Sequence, residues 1–350
     1  MTSSTAPVHP RKDFASELTI LSGTAAQAGY RMPAEWEPMD RIWLCPPHNE
    51  ETWPGCLPQA QAQFENFMSA LRPHVALTFT RDLGAPTVDS WIRDYGPIFV
   101  KNDKGQLAMH DFIFNGWGGK YEDRSDDDMV PQFIARKYGL PLWIHDLVLE
   151  GGSIEVNGRG TLMTTEQCLL NKNRNPHLTR EQITERVNAA LGTRHVIWLP
   201  GGIVGDDTDG HIDDIARFVQ PNVIVAVHAQ KDHPDYDMLQ QNWKALENVK
   251  DQDGQPIEVL PLPMPDPILY NFPPDRFGPG GVNPVPASYA NFLIANKAVV
   301  VPIFGQKTDD KALDVLRQAM PQHEIIGVRA EHLVVGLGAF HCLSQQQPRP

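Results

Sequence analysis

One pattern recurs along this chain and constrains the fold more than any other feature. An amphipathic helix is followed by a short apolar strand, a polar or Gly-rich turn, and then an apolar hairpin. Periodicity predicts helices over 59–72, 128–138, 179–191, 236–248 and 309–319. Apolar runs over 75–80, 142–146, 195–200, 257–263 and 323–330 predict the strands that follow them. Thr179 with Gln182, and Asp309, stand where helix N-caps are expected. Hairpins are read in PIFVKNDKGQLAMHDF, GSIEVNGRGTLMTT, ARFVQPNVIVAV and NFLIANKAVVVPIF, whose centres carry good turn residues. The remaining hairpin must form between FHCLSQQ near the C-terminus and DRIWLCPP near the N-terminus, closing a ring of about five units.

Function enters in the turns between first strand and hairpin. They hold DSWIRDYGP with Asp94, LEGGS with Glu150, DGHIDD with His211 and Asp213, a Pro/Gly-rich loop over 266–286, and GLGAFHC with Cys342. Equivalent positions in a ring of repeats face a common centre, so these five side chains are expected to converge. A thiolate is a nucleophile, and a nearby imidazolium lowers a thiol's pKa enough to populate it. A histidine can give a proton to a leaving group and then take one from water. A protease-like site needs only one orienting acid. The surplus carboxylates suit a planar guanidinium, which offers parallel N–H pairs.

Plainer readings stand beside these. A cysteine near a chain end is more often a buried small hydrophobe, and His211 alone reads as a structural histidine. Asp94 beside Arg93 reads equally as half of an ion pair, and Glu150 before Gly-Gly as a turn acid. Trp91 and Trp117 read first as packing residues and second as walls of a substrate pocket. Asp126, Asp127 and Asp128 read as a solvated run at a helix start. A length of 350 residues, 41% hydrophobic, can bury one large core or two smaller ones. A net charge of −13 argues against nucleic acid as a partner and mildly favours cations. Cys45, Cys56, Cys168 and Cys342 form no CxxC pair, so reduced thiols in the cytoplasm are expected rather than a zinc ribbon or disulfide scaffold. No apolar run is long enough to span a membrane. Residues 1–30 lack the apolar core of a secretory signal and read as a flexible leader, with 31–350 as a single catalytic domain.

Seven segments together carry a resemblance: MPAEWEP, DSWIRDYGP, FNGWGGK, LEGGSIEVNGRGTLMTTEQCLLNKNRNPHLT, GHIDDIARF, ASYANFLIAN and HCLSQQQP. From about residue 30 to its end the chain resembles the agmatine deiminases and, more broadly, the bacterial peptidyl-arginine deiminase family of the guanidino-group-modifying superfamily. The resemblance implies an α/β fold, a five-bladed α/β propeller of the pentein type. It implies conversion of agmatine and water to N-carbamoylputrescine and ammonia, in putrescine biosynthesis, through an amidino-cysteine, without metal or organic cofactor. By motif position Cys342 matches the nucleophile, His211 the general acid/base, Asp94 and Asp213 the guanidinium-holding acids, and Glu150 an acid supporting histidine and substrate. Relatives often associate, which leaves a homo-oligomer open. GLGAFHC departs from the GGGNIHC form common among agmatine deiminases, with Ala339 and Phe340 at its Asn and Ile positions, and this bears on specificity. In DDTDGHIDD, Asp206, Asp207 and Asp209 could meet a distal amine, Asp207 being singled out as a substrate contact. The competing readings are a deiminase of peptidyl-arginine or another guanidine, an amidinotransferase, an inactive binding relative, and a metal-dependent hydrolase using His211, Asp213 and Asp94.

Overall fold

The computed structural model describes residues 15–121, 124–274 and 280–350. Among these residues the strands form five sheets that share one order, plus a two-stranded hairpin. In each sheet an antiparallel pair gains a third strand, parallel to the middle one and reached through a helix. A parallel neighbour needs that long crossover, whereas an antiparallel one needs only a tight turn. Ile98–Asn102 and Leu107–Ile113 are extended by Leu142–Val148, and Glu155–Val156 and Thr161–Thr165 by His195–Leu199. Ala216–Gln220 and Val223–His228 are extended by Glu258–Pro263, and Leu293–Ala295 and Ala298–Ile303 by Glu324–Arg329.

The remaining sheet closes the ring. Ser344–Pro348 pairs antiparallel with Met39–Leu44, in the register Ser344↔Leu44 to Gln347↔Arg41, and Met39–Leu44 runs parallel to Ala76–Phe79. Every crossover helix falls on its expected segment: Leu57–Leu71, Val130–Tyr138, Arg180–Leu191, Tyr236–Leu246 and Asp309–Ala319. Leu57–Leu71 buries Ala60, Phe64, Phe67, Met68 and Leu71, a stripe spaced at three and four residues that seats the helix on the core. The middle strands Val223–His228 and Ala298–Ile303 read as unbroken apolar runs because both of their faces are covered.

Thr179 and Gln182 form a capping box, and Gly192 stops the helix in the left-handed conformation at φ 68°. Asp309 acts differently from the expected cap. Its carboxylate turns back and accepts the N–H groups of Phe304, Gly305 and Gln306 at 2.7–3.1 Å, fastening the preceding loop. The leader expected over 1–30 lies outside the described residues up to 14 and is held down beyond that. The N–H of Leu21 donates to Leu142 O, that of Ala26 to Ala189 O, and Tyr30–Arg31 adds a strand beside Ile98–Asn102. The loop expected over 266–286 contains the hairpin Ile268–Phe272 and Gly281–Val285. No helix among the described residues is long and apolar enough to cross a membrane.

Candidate active site

Three inter-strand turns deliver acids to one point, and the gap between them is filled by a glycine. A Cβ on Gly152 would lie 2.5 Å from His211 Nδ1, 2.7 Å from Asp94 Oδ1 and 3.1 Å from Asp213 Oδ2. Asp94 sits in the short helix Ile92–Tyr95, its Oδ1 accepting the Gly152 N–H at 3.0 Å and its Oδ2 the Trp117 indole N–H at 2.9 Å. Asp213, in the turn Ile212–Asp214, places Oδ2 3.5 Å from Cys342 Sγ. The donor atoms of Glu150, Cys168 and His211 lie within 4.8 Å of one another. The five expected residues therefore come together.

All five are buried. Both ring nitrogens of His211, Glu150 Oε2 and Asp213 Oδ1 are buried without a hydrogen-bond partner among the described residues. Leaving such groups unpaired costs on the order of 1–3 kcal/mol each, so the cluster is poised for a polar, hydrogen-bonding guest. Burial pushes the Asp94 carboxyl up to about 6, with His211 opposing and Asp213 adding. Burial works against a charged His211, but Asp94, Cys168 and Glu150 outweigh it and hold the imidazole well above its ordinary value. Cys342 is pushed well up by burial and by Asp213, Asp214 and Asp94. These acids disfavour the thiolate, and the charged His211 in the same cluster favours it.

A narrow pocket opens onto Cys342 and Asp94, lined also by Asp89, Trp91, Trp117, Tyr121, Asp207, Thr208, Gly336 and Leu337. Trp91 packs on Trp53 at 5.4 Å between ring centres. A Cβ on Gly336 would lie 2.6 Å from Trp53 and one on Gly338 2.6 Å from Trp91, so the approach to Cys342 is Gly-rich because the indoles press on its backbone. Trp91 and Trp117 are thus packing residues and pocket walls at once. Trp117 at φ 53° and Leu337 at φ 74° hold left-handed backbone on either side of the pocket, a strain that collects at functional sites. Asp207 receives the Tyr121 hydroxyl. Asp206 and Asp209 are committed elsewhere, Asp206 to the N–H groups of Thr208 and Gly210, Asp209 to Lys120, Asn173 and Arg174.

Two donor sets bring their ligand atoms within 4.8 Å of one another: Glu150–Cys168–His211 and Asp213–Asp214–Cys342. Arg174 lies 2.7 Å from Glu150 Oε1 in the first, and the Asn291 amide donates to Asp214 and Cys342 in the second.

The model of the Porphyromonas-type peptidyl-arginine deiminase family matches residues 31–348. The chain belongs to this family. Relatives include an agmatine deiminase of Medicago truncatula, 38% identical over 94% of this chain and 99% of that protein. A putative agmatine deiminase of Marinomonas sp. is 35% identical over 91% and 95%. The solved agmatine deiminase of Enterococcus faecalis superposes with a TM-score of 0.89 at 32% identity, covering 95% of this chain and 99% of that one.

In this member of the deiminase family several site residues were not singled out from the sequence. Arg174 clamps Glu150. His341 places Nδ1 2.7 Å from Asp213 Oδ2 and Nε2 2.8 Å from Glu35 Oε2, so Asp213 is braced from behind. Glu35 in turn meets Arg217 at 2.9 Å. Asp127 and Asp128, read as part of a solvated run, are buried: their carboxylates accept the N–H groups of Val88 and Phe114, each at 2.7 Å. They fasten the two segments that carry Asp94 and Trp117. Phe340, at a position where the motif departs from the common form, stacks on Phe67 at 4.4 Å in the core and does not line the pocket.

Proposed function

We propose that this chain hydrolyses agmatine to N-carbamoylputrescine and ammonia through a covalent amidino-cysteine. The observation that carries the reading is the set of unpaired buried atoms on His211, Glu150 and Asp213 beside Cys342, which suits a planar, multiply donating cation. The relatives named as agmatine deiminases support agmatine as that cation.

Asp94 and Asp213 hold the guanidinium plane over Cys342. The substrate's positive charge offsets the acids that disfavour the thiolate, so binding favours ionisation of Cys342, whose proton passes to solvent. Thiolate attack on the central carbon forms the C–S bond. His211, as imidazolium, protonates one departing nitrogen, and ammonia leaves. Glu150, braced by Arg174, favours the charged imidazole. The now neutral His211 takes a proton from water as its oxygen attacks the amidino carbon. Collapse forms the C=O bond as the C–S bond breaks, the hydroxyl proton passes to the leaving sulfur, and the ureido product is released with Cys342 restored as the thiol. Holding the reactants in line supplies several kcal/mol of the acceleration. Trp91 and Trp117 enclose the alkyl chain, and Asp207 attracts the distal ammonium.

The four cysteines, all free and buried, support a reducing cytoplasm, and the net charge of −13 supports a small cationic partner over nucleic acid. The test is ammonia release from agmatine, arginine and an arginine peptide, with wild type beside Cys342→Ala. Wild type is expected to prefer agmatine and the variant to be inactive. Turnover of the peptide alone would transfer the reading to peptidyl-arginine, and turnover by Cys342→Ala would end the covalent mechanism.

A further inference from the structure

Cys168 takes no part in the steps above, yet its sulfur lies among the groups that do. It sits in the short helix Glu166–Leu169 and is 0% exposed. The Thr165 hydroxyl caps that helix by accepting the Cys168 N–H at 3.2 Å, and itself donates to Gly210 O at 2.6 Å, beside His211. This ties the segment carrying the thiol to the turn carrying the imidazole. One donor atom each from Cys168, His211 and Glu150 lie within 4.8 Å of one another. Two of these side chains are also short of partners. Both ring nitrogens of His211, and Glu150 Oε2, are buried without a hydrogen bond among the described residues. Arg174 Nε holds Glu150 by Oε1, at 2.7 Å, which leaves Oε2 open.

We propose that Cys168, His211 and Glu150 form an inhibitory site for a thiophilic divalent cation, with zinc as the fitting ion. A thiolate, an imidazole and a carboxylate make the mixed set that zinc accepts in a tetrahedron, with a water from the pocket as fourth ligand. Zinc bonds of about 2.0–2.3 Å bring tetrahedral donors to roughly 3.3–3.8 Å, so the set closes by no more than about 1.5 Å. That contraction is within the swing of the side chains. A ligating histidine ordinarily gives its other N–H to a carboxylate, and Asp94 Oδ1 stands 3.6 Å from His211 Nδ1. Nε2 is then the ligating nitrogen. Coordination takes Cys168 as thiolate and His211 as neutral imidazole, and the displaced protons pass to solvent. Metal-bound His211 has no proton to give the departing ammonia, so zinc stops turnover. This half of the proposal rests on His211 being the acid and base of the reaction. Guanidinium and zinc draw on the same cluster, so each weakens the other's binding. The second donor set is a poorer host. It offers two carboxylates and no imidazole beside the thiol, and the Asn291 amide already donates to Asp214 Oδ1 and Cys342 Sγ, each at 2.9 Å.

The experiment titrates zinc chloride into chelator-stripped enzyme, with wild type beside Cys168→Ser, Cys168→Ala and Cys342→Ala. Bound metal is measured by competition with a chromophoric chelator, and agmatine turnover is followed in the same titrations. Wild type is expected to bind a single zinc per chain, to lose turnover as the site fills, and to bind zinc more weakly as agmatine is added. Both Cys168 variants should need about tenfold or more zinc for half-occupancy, and for half-loss of their own zinc-free rate. Cys342→Ala should bind zinc as wild type does. Cobalt(II) in place of zinc should give a thiolate-to-metal charge-transfer band in wild type and Cys342→Ala, and none in the Cys168 variants. Failure of wild type to bind zinc, unchanged affinity in both folded Cys168 variants, or a cobalt band that follows Cys342 would each overturn the site. Zinc bound at full turnover would overturn its inhibitory role. Binding and the cobalt band are read without turnover, so their failure is distinct from a failure of agmatine hydrolysis.

Discussion

Gly152 marks how little room the chemistry leaves. A methyl group there would press on His211 Nδ1 and Asp94 Oδ1 at 2.5 and 2.7 Å, and both belong to short, braced turns with no slack. Gly152→Ala is expected to lower kcat by on the order of a hundredfold, because displacing reacting groups by a fraction of an ångström costs that much. A circular-dichroism melt beside the kinetics would show whether the fold persists. Asp94 sets a pH limit of its own. Its folded value of about 6 stands above the ordinary 3.8, so the native state holds the proton more tightly and this group's contribution to stability declines as pH rises between the two. Activity runs the other way, since only the ionised carboxylate grips a guanidinium. kcat/KM for agmatine is therefore expected to fall as pH drops through about 6, and Asp94→Asn should show a depressed kcat/KM without that limb. The five converging side chains were legible in the sequence because the repeat makes their positions equivalent. Arg174, Glu35, Asp127 and Asp128 were not, because what defines them is a partner elsewhere. The Glu35 carboxylate meets a histidine 306 positions away, and Asp127 an amide 39 positions away.

Among the elements, the strand Ser344–Pro348 does the most varied work. It completes the sheet begun by Met39–Leu44 and supplies Gln345 and Gln346, whose side-chain oxygens accept from the buried Arg93 guanidinium at 3.0 and 2.6 Å. Deleting residues 344–350 is expected to abolish cooperative thermal unfolding, since it exposes a sheet edge and leaves a buried cation short of acceptors. This strand was legible as the ring's missing half because four hairpins were complete within the chain and one was not. The hairpin Ile268–Phe272 with Gly281–Val285 was hidden for the opposite reason. Its prolines and glycines read as loop, but in a two-stranded ribbon every strand is an edge, and there Pro284 can stand without breaking a ladder. Asp309 misled more subtly. A carboxylate at a helix start can serve the helix or the loop before it, and only the path of residues 304–306 decides which.

At the scale of the molecule, the repeats meet around one buried ionic network. Glu35 precedes the first sheet, Arg93 follows the first crossover, Glu155 lies in the third sheet and Arg217 in the fourth, and Arg217 also donates to Ala290 O and Phe292 O beside the fifth. Burial would raise the Glu35 carboxyl, but Arg217, His341 and Arg93 hold it below its usual range. Its contribution is thus present above the ordinary carboxylate range and is lost as pH falls. Glu35→Ala leaves the buried Arg217, Arg93 and His341 short of an acceptor and is expected to cost about 3–5 kcal/mol in urea unfolding at neutral pH. Ring closure also has a consequence in time. Trp43 donates its indole N–H to Gln347 Oε1 across 304 positions. At a synthesis rate of about 5–20 residues per second, the strand around Trp43 waits roughly 15–60 s for its partner to be made. Until Ser344–Pro348 leaves the ribosome, the first sheet remains open at its edge. Until then the nascent chain is a substrate for chaperones and proteases, and Cys342, which immediately precedes that strand, cannot take its place earlier.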